Sequence, residues 1–232
     1  MARVARRRTM QAGEARPSLV ERAYAAFKAA IVRAEFPPGI QLSAQELALR
    51  FGTSRTPIHE ASLRLQEEGL VRILPKKGIL VCALSPEDIR EIYEVIIAIE
   101  GDAAARIARL PEPERLAIAE MLDAETARME AAADFEARSL ADMAFHTLLV
   151  EASGNSRFAS IMKTVNSQAA RAQVFMVQLR PNIERSVPEH RAIIAAICAG
   201  DPDIALVAAR AHRGRVRDEI VPLLARFGLR HF

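Results

Sequence analysis

From Ser85 to the end of the chain, apolar residues recur three or four positions apart and the pattern is broken only at prolines and glycines. That spacing is the period of an α-helix; a strand, whose side chains alternate from face to face, cannot bury it. Ser85 and Pro86 open a first long helix, SPEDIREIYEVIIAIEGDAAARIARL, which Pro111 and Pro113 end. The pattern predicts further helices near 111–131, over about 134–153, and over about 155–179, with Gly154 and Asn155 between the last two. A fifth begins near Pro188 and stops at Gly200, and a sixth is opened by Asp201 and Pro202 and extends to about Phe227. Six helices with short joins, each carrying an apolar stripe, predict an all-α antiparallel helical bundle over 83–232.

The chain before this point is built differently. Residues 18–34 place Leu19, Ala23, Phe27, Ala30 and Ile31 at helical spacing behind Ser18 as a cap. Ser43 and Glu46 form a capping-box pattern that opens a short helix to about Phe51. Gly52 turns the chain, and Thr56 with Pro57 reads as an N-cap followed by proline at the first helical position. This third helix runs to about Glu68, where Gly69 closes it. Two β-prone runs around Pro75, Lys76, Lys77 and Gly78 then predict a two-stranded hairpin. Three short helices and a basic hairpin over residues 18–82 are the parts of a winged helix-turn-helix. The fold class is therefore mainly α, with residues 1–17 as a flexible basic arm.

Charge separates the same two regions. Residues 1–81 hold 14 Lys+Arg against 7 Asp+Glu, and residues 82–232 hold 18 against 22. A basic first third on a mildly acidic remainder suggests a module that binds a polyanion. The two cysteines, Cys82 and Cys198, form no CxxC pair and fit a reducing, cytoplasmic setting. The basic N-terminus lacks the apolar run of a secretory signal, and no stretch approaches the roughly 18 apolar residues of a membrane span.

In a helix-turn-helix the second helix of the pair enters the major groove with its N-terminal residues on base edges. Here those residues are Thr53, Ser54, Arg55, Thr56 and His59. Arg55 suits guanine O6 and N7, and Thr53, Ser54 and Thr56 suit phosphates. Lys76 and Lys77, beside Gly78 at the hairpin tip, are placed for the backbone or minor groove. The stretch FGTSRTPIHEASLRLQEEGLVRILPKKGILV resembles the DNA-binding signature of the GntR family of bacterial transcription regulators. The resemblance covers residues 18 to about 82 and implies double-stranded operator DNA as partner, with Gln45, Arg55 and His59 among the contacting residues. Two positions depart from the family pattern: His59 stands where arginine is usual and Ser62 where leucine is usual. A histidine offers one hydrogen bond toward a base and is mostly neutral at pH 7, so the operator or the affinity is expected to differ.

Within the bundle region, three histidines lie on apolar stripes. His146 accompanies Phe145, Leu149 and Val150; His190 precedes Ile193, Ile194 and Ile197; His212 follows Ile204, Ala205 and Ala208. Asp142 stands one turn before His146. A buried unpartnered carboxylate is costly, and the simplest way to satisfy all four groups is to let them meet. One carboxylate oxygen and three imidazole nitrogens suit zinc, or nickel, iron or manganese as another first-row divalent ion. An Asp142–His146 pair one turn apart and singly satisfied core histidines remain the alternative.

The C-terminal 147 residues resemble the FCD ligand-binding domain of the FadR subfamily. The matching motifs are DMAFH at 142–146, SGN at 153–155, EHRAIIAAICAGD at 189–201 and ARAH at 209–212. That resemblance implies metal binding by Asp142, His146, His190 and His212. Family members often carry an effector-holding arginine shortly before a Leu-Glu pair; here the stretch reads EVIIAIE, and Arg171 is the candidate substitute. The resulting expectation is a homodimeric, metabolite-responsive regulator that is not an enzyme. It would bind a palindromic operator and take a small organic acid at the metal site, with Cys82 to Ser85 as the hinge. A metal-dependent enzyme in the bundle, or a dimerisation module with a structural metal, are the rival readings.

Overall fold

Ser18, Ser43 and Ser85 each start a helix by the same exchange. The hydroxyl accepts the backbone N–H three residues on, and the acidic side chain there, Glu21, Glu46 or Asp88, accepts the serine's own N–H. Each exchange satisfies two donors that a helix start otherwise leaves bare. The computed structural model describes residues 17–176 and 185–226, with side chains over 17–169 and 185–224. Residues 1–16 of the expected basic arm and the side chain of Arg171 lie outside the described residues.

The N-terminal part contains α1 (Leu19–Val32), β1 (Gln41–Leu42), α2 (Ala44–Arg50), α3 (Arg55–Glu67), β2 (Val71–Leu74) and β3 (Gly78–Val81). Both α1 and α2 pack on α3 around Phe27, Leu47, Ile58 and Leu65, all buried. Phe27, Phe36 and Phe51 meet ring against ring, with centroids 5.7 to 6.3 Å apart. Tyr24 and Lys28 of α1 both reach the carboxylate of Glu68 at the end of α3.

Two details differ from the sequence expectation. The wing has three strands in the order β1-β3-β2, both pairings antiparallel, because Gln41 and Leu42 pair with Leu80 and Ile79. A two-residue strand is too short to show a period, so the hairpin alone was legible. Helix α3 begins at Arg55 with Ser54 as its cap residue, not at Thr56, and Ser54 makes no side-chain capping bond. Pro57 sits in the first turn, where a missing N–H leaves no helical bond unmade.

The remaining described elements are α4 (Pro86–Ala108), α5 (Glu112–Ala131), α6 (Phe135–Ala152), α7 (Ser156–Met176), α8 (Ser186–Ala199) and α9 (Pro202–Arg226). They form the helical bundle. Helix α8 starts two residues before Pro188, again because proline is accepted in a first turn. Helix α4 packs chiefly along α9, while α5, α6 and α8 pack on one another and α8 also meets α9.

Two large apolar clusters and a small third, of Met129, Ala141 and Val187, fill the bundle. One gathers Ile89, Tyr93, Ile96 and Ile99 of α4 with Met162 of α7 and Val216, Ile220 and Leu224 of α9. The other gathers Ala104 and Ile107 of α4 with Leu122, Phe145, Leu149, Ile193, Ile197, Ala205 and Ala209. Along α9 the buried polar residues His212 and Arg213 fall where one cluster gives way to the other, and Glu100 of α4 lies within the first cluster, between Ile99 and Ala103. Ile204, assigned to the His212 stripe from sequence, is exposed, and the buried stripe runs instead through Ala205, Ala209, His212 and Val216.

Gly78 ties the wing together. Its φ is +114°, and a Cβ there would stand 2.5 Å from the carbonyl oxygen of Leu42 in β1. Gly52 also has a positive φ, +61°, but a Cβ there would meet open space. Gly52→Ala is therefore expected to lose about 1–2 kcal/mol from backbone conformation alone. Gly78→Ala should lose more, because the wing must also open, and urea unfolding of the two variants measures the difference.

Candidate metal centre and nucleic-acid interface

Asp142 and His146 stand one turn apart on α6, His190 is in the second turn of α8, and His212 is midway along α9. All four are buried, and one ligating atom from each lies within 4.8 Å of every other. The Nε2 atoms of His146 and His212 are 3.2 Å apart. Asp142 Oδ1 is 3.6 Å from His190 Nε2 and 3.8 Å from His146 Nε2. Metal bonds of roughly 2.0–2.2 Å put neighbouring ligand atoms about 3–4 Å apart, so this set could hold a divalent ion.

The chemistry of the donor set agrees with that fit. Both ring nitrogens of His190 are buried and have no hydrogen-bond partner among the described residues, although the ring is stacked flat on Phe145 at 3.8 Å. An orphaned imidazole in an apolar core needs a reason, and a cation at Nε2 supplies one. Burial pushes His190 down to about 2, with the neighbouring His146 and His212 adding to the shift. Burial likewise lowers His212, to about 4, against a raising hydrogen bond from Glu189. Both rings are therefore neutral near pH 7, the form that binds a metal. Burial pushes the Asp142 carboxyl up, but His146, Arg213 and His190 outweigh it and hold the group well below the usual carboxylate range.

Outside the four ligand candidates lies a layer that the sequence reading did not identify. Glu100 of α4 is buried and receives two hydrogen bonds from Arg213 of α9, at 2.8 and 2.7 Å. Its Oε2 also lies 2.8 Å from His146 Nδ1, off the line of a well-aligned hydrogen bond. Glu189 of α8 accepts from His212 Nδ1 at 2.7 Å and twice from Arg215 at 2.6 Å. A signal for Glu100 was available: it is a carboxylate on the stripe of Tyr93, Ile96 and Ile107, seven, four and seven positions away. Glu189 carried a similar signal, since Ile193 and Ala196, four and seven positions on, are buried apolar residues of the same helix.

A cavity of about 450 Å³ opens beside His146 between α6 and α7, lined by Met143, Thr147, Val150, Met162, Lys163 and Asn166 among others. A smaller one, about 30 Å³, touches Asp142, His146, Tyr93, Asn166 and Arg213.

On the N-terminal part, Gln45, Ser54, Arg55, Thr56 and His59 are exposed on α2 and the start of α3. Arg55 Nη2 donates to Gln45 Oε1 at 2.9 Å, which brings these two candidates together across the turn. Thr53 differs from its neighbours: its hydroxyl is buried and finds no partner. Ser62 is buried, and its hydroxyl donates to the Ile58 carbonyl at 2.7 Å, so the polar atom is satisfied within the helix. Lys76 and Lys77 are exposed at the turn between β2 and β3, with Gly78 partly covered beside them. The wing and the start of α3 are held by different contacts, and no hydrogen bond between these two groups is seen among the described residues.

Comparison with known proteins agrees with this architecture. Residues 91–215 match the FCD domain, and residues 19–81 match the family described as bacterial regulatory proteins, gntR family. An uncharacterized HTH-type transcriptional regulator in the TAR-I ttuE-ttuC' intergenic region of Agrobacterium vitis is 52% identical over 134 residues, 56% of this chain and 78% of that protein. Another, in an unstable DNA locus of Streptomyces ambofaciens, is 30% identical over 200 residues, 85% of this chain and 83% of that protein. Among solved structures, E. coli McbR/YncC has a TM-score of 0.71 at 17% identity, over 89% of this chain and 99% of that one. That last likeness is one of fold.

Removing Glu100 would leave the Arg213 guanidinium buried without its partner. Glu100→Ala is expected to lower stability by about 3–5 kcal/mol, and Glu100→Gln by less, since the amide oxygen still accepts from Arg213. Chemical denaturation of the two variants beside the parent chain measures both.

Proposed function

Since the chain belongs to the GntR family of bacterial regulatory proteins and carries that family's FCD domain, we propose that it is a metabolite-responsive regulator. On this reading it binds a palindromic operator as a homodimer, and a small organic acid in the C-terminal bundle modulates the affinity. Membership makes it a DNA-binding transcription regulator; the dimer, the operator symmetry, the effector and the ion are the proposed part. A two-fold operator favours a two-fold protein, with two α3 helices in successive major grooves.

The observation that carries the sensing half is the convergence of Asp142, His146, His190 and His212 beside the α6–α7 cavity. Three nitrogens and one oxygen favour zinc, with nickel, iron or manganese as alternatives. A cation held there would supply a Lewis-acidic attachment point for a carboxylate. The chain's own residues would do the rest: Met143, Val150 and Met162 give the cavity an apolar wall, and Thr147, Lys163 and Asn166 place polar groups around it. Arg171 remains a candidate second anchor from α7.

DNA reading is assigned to Gln45, Ser54, Arg55, Thr56 and His59 for the groove and its phosphates, with Thr53 through its backbone. Lys76, Lys77 and Gly78 form the wing contact. Residues 82–85 join β3 to α4 without regular structure, which suits a hinge, although Leu84 is anchored in the bundle core.

Arg55→Ala should weaken operator binding by roughly 1–3 kcal/mol and relax base choice at one position. Fluorescence anisotropy against a panel of single-base operator variants reads both, and unchanged affinity and selectivity would remove Arg55 from the groove. His190→Ala should lower the metal that co-purifies with the protein, measured by elemental analysis. Metal content equal to the parent's would remove His190 from the ligand set.

A further inference from the structure

Resting on the metal reading, we infer that Glu100 and Glu189 are positioning residues. Each takes the Nδ1 side of one histidine, His146 or His212, and so fixes the ring with Nε2 facing the centre. A neutral imidazole carries its proton on one nitrogen only, and a hydrogen bond at the other nitrogen decides which is free for a metal. The two histidines whose Nε2 atoms come within 3.2 Å of each other are the same two that have a carboxylate at Nδ1.

The carboxylates are themselves held. Arg213 grips Glu100 through Nε and Nη2, and Arg215 grips Glu189 through the same pair of atoms. Arg215 is fixed in turn by Glu219 at 2.9 Å and by the Ser186 hydroxyl at 3.2 Å. The structure thus contains two chains of the same order, arginine to glutamate to histidine, arriving at one point from two sides; the last link is a hydrogen bond at His212 and a 2.8 Å approach, off the hydrogen-bond line, at His146. His190 has no such chain. Its ring is held by the stack on Phe145, and its Nδ1 has no partner among the described residues. The three imidazoles are therefore oriented by two means, and the carboxylate-held pair can be loosened one ring at a time.

Glu189 offers the cleaner test. It is partly exposed, whereas Glu100 is buried against a charge. Zinc affinity of the full chain is measured by competition with a chromophoric chelator for the parent, Glu189→Ala, Glu189→Gln and Glu100→Gln. Histidine protons of the zinc-loaded proteins are followed by long-range proton–nitrogen NMR. Glu189→Ala should weaken zinc binding by about 10–100-fold and abolish the slowly exchanging Nδ1 proton of His212 while sparing that of His146. Glu189→Gln keeps an acceptor oxygen and should recover most of the affinity and the proton. Glu100→Gln should leave the His212 proton in place.

Glu189→Ala with parental affinity and an intact His212 proton overturns the inference while leaving the metal centre standing. So does a Glu189→Gln protein as weak as the alanine variant with the His212 proton unchanged in all three. A parent chain that takes up no zinc overturns the metal centre, and the inference with it.

Discussion

The bundle turns on the pair formed by Glu100 and Arg213 across the α4–α9 seam. Both side chains are buried, and their two hydrogen bonds of 2.8 and 2.7 Å have the geometry of a fork closing on a carboxylate. Burying two ions carries a desolvation penalty of several kcal/mol each, and a well-packed apolar pair in their place is often as stable or more so. The pair is thus a poor device for stability alone. What an apolar pair could not do is present an oxygen 2.8 Å from His146 Nδ1. On α9 the ionic layer also falls between the two apolar clusters. The pair therefore fixes the register of α4 against α9, the helix that carries His212.

The charges in this layer form a consistent set. Glu189 illustrates it: burial pushes its carboxyl up, yet the hydrogen bonds and charges of His212 and Arg215 bring it down to about 2. Glu100 is likewise driven below the usual range, because Arg213 and His146 outweigh its burial. Arg213 answers Glu100, and Arg215 answers both Glu189 and Glu219, which leaves Asp142 as the carboxylate facing three imidazoles. Two of those rings are neutral near pH 7. A neutral, unpartnered His190 opposite an ionised Asp142 is a poor resting arrangement for a core built only for packing. It is a natural one for groups that share a cation.

Much of this was legible because helices advertise themselves. The stripes of α6 and α8 mark His146 and His190 as inward-facing, and Ser18, Ser43 with Glu46, and Ser85 with Pro86 mark their helix starts. The failures share a cause. Gln41 and Leu42 form a strand only because β3 lies beside them, and nothing local in two residues reports partners as far off as Leu80 and Ile79. The stripe expected before His212 takes in Ile204, Ala205 and Ala208; the structure buries Ala205 but exposes Ile204 and buries Ala209, where small side chains let α9 approach α8 and α4 closely. Glu100 is legible as a carboxylate at an apolar position of α4, a signal that the expectation of an effector-holding arginine on that helix does not use. Glu189 stands at the edge of the α8 stripe, four before Ile193, but its role appears only when α8 and α9 are side by side.

Helix α7 has a place in both halves of the proposed function. It lines the cavity beside His146 through Met162, Lys163 and Asn166. Two residues further on, Gln168 Nε2 donates to the Glu68 carbonyl at 2.8 Å, at the C-terminal end of α3. A Cβ on Gly69 would stand 2.8 Å from that same amide nitrogen, so the approach is close. A ligand can shift a conformational balance only by binding one arrangement better than another. An effector in this cavity would meet α7 directly, and α7 meets the element assigned to the groove without an intervening helix. The linker at 82–85 then need not transmit force. It has only to permit the N-terminal part to follow α7, with Leu84 keeping the far end of the joint fixed in the bundle.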